Sequence, residues 1–444
     1  MNSILIRNGV VVAMDPARTI THGDVYIEDG VIQEFPSKRQ KADEVIDAAD
    51  KLVLPGFVQT HIHLNQTLFR GLSEDLVVED WLRLRIWPLE QAHDAESLYD
   101  AARLGIAEMI RGGTTCALTN ETVQHTDSAF EAIIESGFRA VAGKMMMDRW
   151  EVGTEMLGET TDDSMRESMR LLEKYHGREN GRVSYAFCPR GTRNITDELW
   201  RDVVQAADEH GILIHCHCGD GKAQTVRLSQ ESLTEFRYLE SVGAPGPNLV
   251  LAHCIWLDDE ELGMMAESDT KATHCPSANL KVASGLAKVP EMLELGVNVS
   301  LGADGAPANN NLDMFMEMRL AGLIHKPRLD DERTMPASTV LEMATIGGAR
   351  ALGMDDKIGS IEAGKLADVI VVERGGLHNQ PMDESDPMTQ VVYQLRSSDV
   401  DTVIVDGNIL LRDGEFVNLD VNELRSSVAS SVKRVMKRAN LADL

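Results

Sequence analysis

From about residue 53 to residue 305, short apolar runs alternate with amphipathic helical patterns, which restricts the chain to repeated strand–helix units around a parallel sheet. The strand candidates are "LVLPGFVQTHIH", "TTCALTN", "FRAVAGKMMM", "VSYAFCPR", "ILIHCHCGD", "LVLAHCIW", "KATHCPSA" and "VNVSLGADG". Between them stand segments such as "ESLYDAARLGIAEMIRGG" and "TDELWRDVVQAADEHG", with a capping residue in front and glycine behind. Eight strands in this order predict an α/β fold, a (β/α)8 TIM barrel over residues 55–355, with a long insertion between 64 and 96 after the first strand. An open doubly wound sheet is the competing arrangement.

The texture changes outside that block. Residues 1–54 ("IRNGVVVAMD", "GDVYIEDGVIQEF") and 356–420 ("IGSIEAGKLADVIVVE", "VDTVIVDGNILLRDGEF") carry short strands and turn signals. Neither end has enough strands to be stable alone, so the two are expected to pair into one small β-sandwich domain. Residues 421–444 read as an amphipathic C-terminal helix with a basic face, docked on the body or at a subunit contact.

A chain of 444 residues, 43% hydrophobic, has the material for a large core. Its formal charge of −28 argues against nucleic acid or an anionic membrane as partner, because either polyanion would be repelled. With no apolar run near the ~18 residues of a membrane span and no signal-peptide pattern at the N-terminus, a cytoplasmic location is expected. The six cysteines lie in or beside apolar runs and read as buried thiols, with Cys216 and Cys218 as alternative soft metal ligands.

In a barrel of this kind the active site collects where the strands reach their C-terminal ends. Of the 13 histidines, His61, His63, His215, His217, His253 and His274 stand at strand ends, with His125 more loosely placed. Period-2 geometry turns His61 and His63 to one side of the first strand, and His215 and His217 to one side of the fifth. Two imidazoles from the first strand, one from the fifth and a carboxylate from the eighth would complete a site for a divalent cation, most naturally Zn2+, with Fe2+ or Mn2+ as alternatives. His215 lies one layer lower than His217 and reads as a packed supporting histidine.

The stretches "LPGFVQTHIHLNQTLFRGLSEDLVVEDWL", "LAHCIWLDDEE", "THCPSANLKVASGLAKVPEMLELGVNVSLGADGAPANNNLDMFMEMR" and "IGSIEAGKLADVIVVE" together resemble the amidohydrolase superfamily. Within it they are most similar to the branch of methylthioadenosine/adenosylhomocysteine deaminases, guanine deaminases and s-triazine hydrolases. The resemblance implies one metal ion held by His61, His63, His217 and Asp304. It also implies proton handling by His253 and Asp220, shared with Asp304, around a metal-activated water. A bound cation lowers the pKa of its water towards about 7, which makes the nucleophile available at neutral pH.

Two departures from the family pattern bear on the substrate. His217-Cys218-Gly219-Asp220 carries aspartate where the deaminases carry glutamate, a side chain shorter by one methylene; a turn residue is the plain alternative. After the fourth strand the adenosine-type enzymes tend to carry histidine, and here Arg190 stands in that place. A guanidinium suits a carbonyl oxygen or ring-nitrogen acceptor, so Arg190, Gln66 and Trp81, with His274 lining the pocket, are expected to bind a heterocyclic small molecule. Their plain alternatives are an ion pair, a loop hydrogen bond and packing.

The expected reaction is hydrolytic deamination of an amino-substituted N-heterocycle: a guanine-like purine, a pterin or an s-triazine. The alternative keeps the chemistry and changes the leaving group, to chloride, an alkylamine, or the amine of a urea or carbamate. A metal-binding protein without turnover is a third reading. "NLDMFMEMRLAGLIHK" and the C-terminal helix are candidate contact surfaces of a homodimer or homotetramer.

Overall fold

The computed structural model describes residues 3–34, 41–149, 157–221 and 234–441. Eight parallel strands follow one another in chain order: Phe57–Ile62, Thr114–Glu121, Arg139–Met146, Val183–Pro189, Leu213–Cys218, Leu249–His253, Lys271–His274 and Val299–Leu301. The first three are buried along their whole length, as expected where a barrel interior covers one face and helices the other. The seam between the eighth and first strands is closed by polar contacts. Thr60 Oγ1 lies 2.7 Å from Ser300 Oγ, and the Asp304 N–H donates to the His61 carbonyl at 3.1 Å; Thr273 on the seventh strand adds a contact to Thr60 Oγ1 at 2.8 Å.

Local sequence explains how each helix hands over to the next strand. Thr196 accepts the Leu199 N–H to start helix Asp197–His210, and Gly211 at φ 65° ends it in a left-handed turn that leads into the fifth strand. Asp94 and Ser97 form a reciprocal capping box on helix Ala95–Arg111. The insertion after the first strand folds into a 3-10 turn, Leu64–Phe69, and three short helical segments, Val78–Trp81, Leu82–Ile86 and Trp87–Gln91.

Both chain ends meet in a second, nine-stranded sheet, where Lys51–Pro55 pairs antiparallel with Val369–Glu373. Strand Ser3–Val12 shifts register between Ile6 and Gly9, its first half beside Glu44–Asp47 and its second beside Lys51–Pro55, the device by which a sheet turns over its own core. Alternation then gives this sheet two apolar faces. Val53, Val369 and Val371 pack in its own cluster with Ile4, Ile6, Val25 and Ile27, while Leu52, Leu54, Ile370 and Val372 join the main core with the barrel helices. A buried bidentate pair ties the units together: Arg139, at the start of the third barrel strand, reaches Asp368 Oδ2 at 2.7 Å and Oδ1 at 3.0 Å. Removing one partner of such a pair costs about 3–5 kcal/mol, because the other charge stays buried alone.

Helix Val421–Arg438 docks on the body. Val435 packs among Leu68, Phe69 and Leu89, and Ser431 Oγ donates to Asp100 Oδ2 at 2.5 Å. All six cysteines are buried thiols, and among the described residues no helix is long and apolar enough to cross a membrane.

Candidate metal centre and substrate cavity

The strand ends bring five of the singled-out side chains together. The His61 ring centroid lies 4.7 Å from that of His63, 4.9 Å from His217 and 5.3 Å from His253. Asp304 Oδ1 is 3.3 Å from both His61 Nε2 and His63 Nε2, and its Oδ2 is 4.0 Å from His253 Nε2. His253 and Asp304 have left-handed backbones, φ 72° and 64°. That conformation costs a non-glycine residue on the order of 1–2 kcal/mol and is kept here where it aims side chains into the site.

Hydrogen bonds on the far side of each ring fix the tautomers. His215 Nδ1 lies 2.9 Å from the Val250 carbonyl, which can only accept, so the proton is on Nδ1 and His215 Nε2 accepts from His61 Nδ1 at 2.7 Å. His61 Nε2 is left as a bare lone pair, buried and without a hydrogen-bond partner. His63 Nδ1 donates to the Asn120 carbonyl at 2.6 Å and His217 Nδ1 to the Arg190 carbonyl at 2.6 Å. Their Nε2 lone pairs therefore face each other at 3.2 Å, with the carboxylate oxygen of Asp304 alongside. Acceptors crowded in this way repel unless an electrophile lies among them. The donor set, three neutral imidazoles and a carboxylate, fits a divalent cation of the zinc type.

Ionisation agrees with that fit. Burial, offset in part by Asp304, takes His61 down to about 4, and burial with the neighbouring histidines takes His217 well below its ordinary value, which keeps both in the neutral, ligating form. Burial would lift Asp304, but the His61 and His63 rings against it outweigh burial and hold the carboxyl well below the usual range. His63 is also pulled down by burial, yet Asp304 raises it overall. The carboxylate thus calls for positive charge at the point where a cation would bind.

Above this centre opens a cavity lined by His63, Gln66, Trp81, Arg190, His217, Asp220, His253 and Asp304. Arg190 lines it and is also an ion-pair partner, with Nη1 2.9 Å from Glu90 Oε2; Gln66 Nε2 donates to Glu90 Oε1 at 2.8 Å. Glu90 is buried in the insertion and was not evident from sequence, where "IWPLE" reads as one turn of an apolar helix. Its signal is a carboxylate inside that apolar turn. Two more residues escaped notice. Asn279 Oδ1 accepts from His253 Nδ1 at 2.9 Å, and Glu121 accepts the N–H groups of Leu64 and Asn65 at 3.1 and 2.9 Å, fixing the turn after His63.

His274 requires a correction. It was expected to line the pocket, but on its strand Thr273 faces inwards to Thr60, so His274 turns out to helix Met314–Leu329, 5.5 Å from His325. His215 stands below the centre, bonded to His61.

The sequence profile of the amidohydrolase family matches residues 52–410. A 5′-deoxyadenosine deaminase of Methanothermobacter thermautotrophicus is 41% identical over 421 residues, 93% of this chain and 95% of that protein. A 5-methylthioadenosine/S-adenosylhomocysteine deaminase of Moorella thermoacetica is 36% identical over 442 residues, 98% of this chain and all of its own length (100%). The crystal structure of an adenosine deaminase from Xanthomonas campestris with bound zinc superposes with a TM-score of 0.91 at 30% identity, covering 98% of this chain and 99% of that one. The chain therefore belongs to the amidohydrolase family and is a hydrolase of carbon–nitrogen bonds in cyclic amidines.

Proposed function

We propose that the chain binds one Zn2+ through His61, His63, His217 and Asp304 and hydrolytically deaminates an amino-substituted N-heterocycle, with a 5′-modified adenine nucleoside as substrate. The observation that carries this reading is the convergence of three Nε2 lone pairs and the Asp304 carboxylate on the wall of a cavity. The substrate class is supported by the kinship with 5′-deoxyadenosine and methylthioadenosine deaminases along nearly the whole chain. When bound, the ion supplies a water activated for attack at neutral pH.

The chain's own residues do the rest. Asp220 carries a proton to a ring nitrogen and then to the departing ammonia. His253, oriented through Asn279, presents Nε2 to the oxygen that adds to the ring. Arg190 and Gln66, coupled through Glu90, meet the ring edge, and Trp81 covers a face.

One observation favours a second substrate class. The Arg190 guanidinium on the cavity wall is a planar donor matched to the carbonyl of a guanine-like purine, a pterin or an oxo-amino triazine. Ammonia release from zinc-loaded protein over 5′-deoxyadenosine, methylthioadenosine, S-adenosylhomocysteine, guanine, pterin and ammeline separates the two. Turnover of the adenine nucleosides is expected; preference for guanine or pterin selects the second class, and silence on every amino-substituted ring overturns both. Dechlorination or alkylamine release would show as an organic product without ammonia. The assembly we read as a homodimer or homotetramer, supported by the exposed Met316 and Leu323 on helix Met314–Leu329 and tested by light scattering.

A further inference from the structure

The cavity holds a second acid beside Asp220. Glu235 opens helix Glu235–Ser241, is 5% exposed and shares the cavity wall with Asp220, Thr192 and Arg193. Its Oε2 accepts the Gly219 N–H at 2.6 Å and its Oε1 accepts the Thr192 hydroxyl at 2.9 Å. Gly219 immediately precedes Asp220 and has φ 63°, a conformation that suits glycine, and its carbonyl accepts the N–H groups of Ile255 and Trp256. A buried carboxyl group thus clamps the turn that carries Asp220 and ties it to the loop after the fourth strand.

Among the described residues, the charged and titratable groups around Glu235 are Asp220 and Arg193 from the two loops, the thiols of Cys216, Cys218 and Cys254, and Glu261, which accepts the N–H of Phe236. Burial, and after it the negative charge of Asp220, push Glu235 up to about 7 against the bonds from Thr192 and Gly219. A negative charge nearby disfavours ionisation of a buried carboxyl group.

We propose that Glu235 is a positioning residue for Asp220: its two hydrogen bonds fix the backbone from which the shorter aspartate must reach the reacting ring. The inference rests on the reading of Asp220 as proton carrier. It gives the aspartate in place of glutamate a physical counterpart, a second carboxyl group supplied from helix Glu235–Ser241.

The test uses full-length, zinc-loaded protein and three variants, with kcat and KM followed from pH 5.5 to 9 alongside metal content and melting temperature. Glu235→Gln preserves the shape and the neutrality, so kcat at pH 6.5 should stay within about threefold of wild type while the alkaline limb moves up by about one pH unit. Glu235→Ala releases the turn, so kcat should fall on the order of 10- to 100-fold with KM little changed. Asp220→Asn should lose on the order of 100-fold or more. An alkaline limb of Glu235→Gln that coincides with wild type, a loss of kcat in that variant at every pH, or wild-type kcat in Glu235→Ala overturns the inference, and an inactive Asp220→Asn then leaves the proton-carrier reading standing. An active Asp220→Asn sinks both. Should Glu235→Ala fail to fold, the pH profile of Glu235→Gln decides.

Discussion

His215 Nε2 lies 2.7 Å from His61 Nδ1, and through that bond the Val250 carbonyl determines which nitrogen of His61 is free to bind a cation. The chain of proton positions runs carbonyl, His215, His61, and each link is buried. His215→Phe keeps the ring volume and removes the acceptor, so His61 loses its orientation and its tautomer preference. Zinc affinity measured by chelator competition should fall about 10- to 100-fold, the usual cost of removing a bond behind a metal ligand. An unchanged affinity would show that the strand alone aims His61.

Which parts of this centre could be read from sequence follows from how locally each is determined. His61 and His63 were legible because they stand two residues apart at the end of the first strand, and Asp304 because it follows the eighth apolar run. The barrel was legible because its strands follow one another in space as they do in sequence. Glu90 was not, since its partner Arg190 is 100 residues away and the helix around it is apolar. His274 was misplaced because a four-residue strand with polar residues on both faces leaves its inward side open, and only the contact of Thr273 with Thr60 settles it. The left-handed turns at His253 and Asp304 leave no mark in composition at all.

Removing the cation should cost stability as well as activity. Without it, the Nε2 atoms of His63 and His217 lie 3.2 Å apart beside a carboxylate, with no cation to hold them together. A cation bound there would favour the folded state by mass action, by about 2.7 kcal/mol at a free concentration one hundred times its dissociation constant. Protein stripped with chelator is expected to melt lower, and titration with zinc should raise the midpoint progressively. A midpoint insensitive to zinc would place the ion elsewhere.

Glu317 should give the fold a pH-dependent weakness away from the reaction. Burial lifts its carboxyl to about 7, although Ser277 N–H and Asn309 Nδ2 donate to it at 3.1 and 2.8 Å. Its folded pKa lies above the unfolded value, so the folded state holds a proton that the unfolded chain has released between about pH 4.5 and 7, and stability falls as pH rises through that window. The loss is on the order of 1–3 kcal/mol. Urea midpoints at pH 5 and pH 8 should therefore differ more for wild type than for Glu317→Gln, which cannot ionise. Equal differences would mean that Glu317 is solvated or compensated.

The pair Arg190–Glu90 separates stability from recognition in one double-mutant cycle. Glu90 is fully desolvated, and burial alone would raise its pKa; the guanidinium 2.9 Å away outweighs burial and keeps it ionised. Arg190→Met leaves that carboxylate buried without its partner, at a cost of about 3–5 kcal/mol. Glu90→Gln leaves the guanidinium in the same position, with a similar penalty expected. The double variant buries neither charge, so its urea midpoint should recover most of the loss, giving a coupling of opposite sign to the single effects. Activity should behave differently. Arg190 and Gln66 owe their positions at the cavity edge to Glu90, and the double variant has lost both the donor and its anchor. Its kcat/KM should stay as low as that of Arg190→Met although the fold is restored. Recovery of kcat/KM together with stability would mean that Arg190 only neutralises Glu90 and that the ring edge is read by other groups.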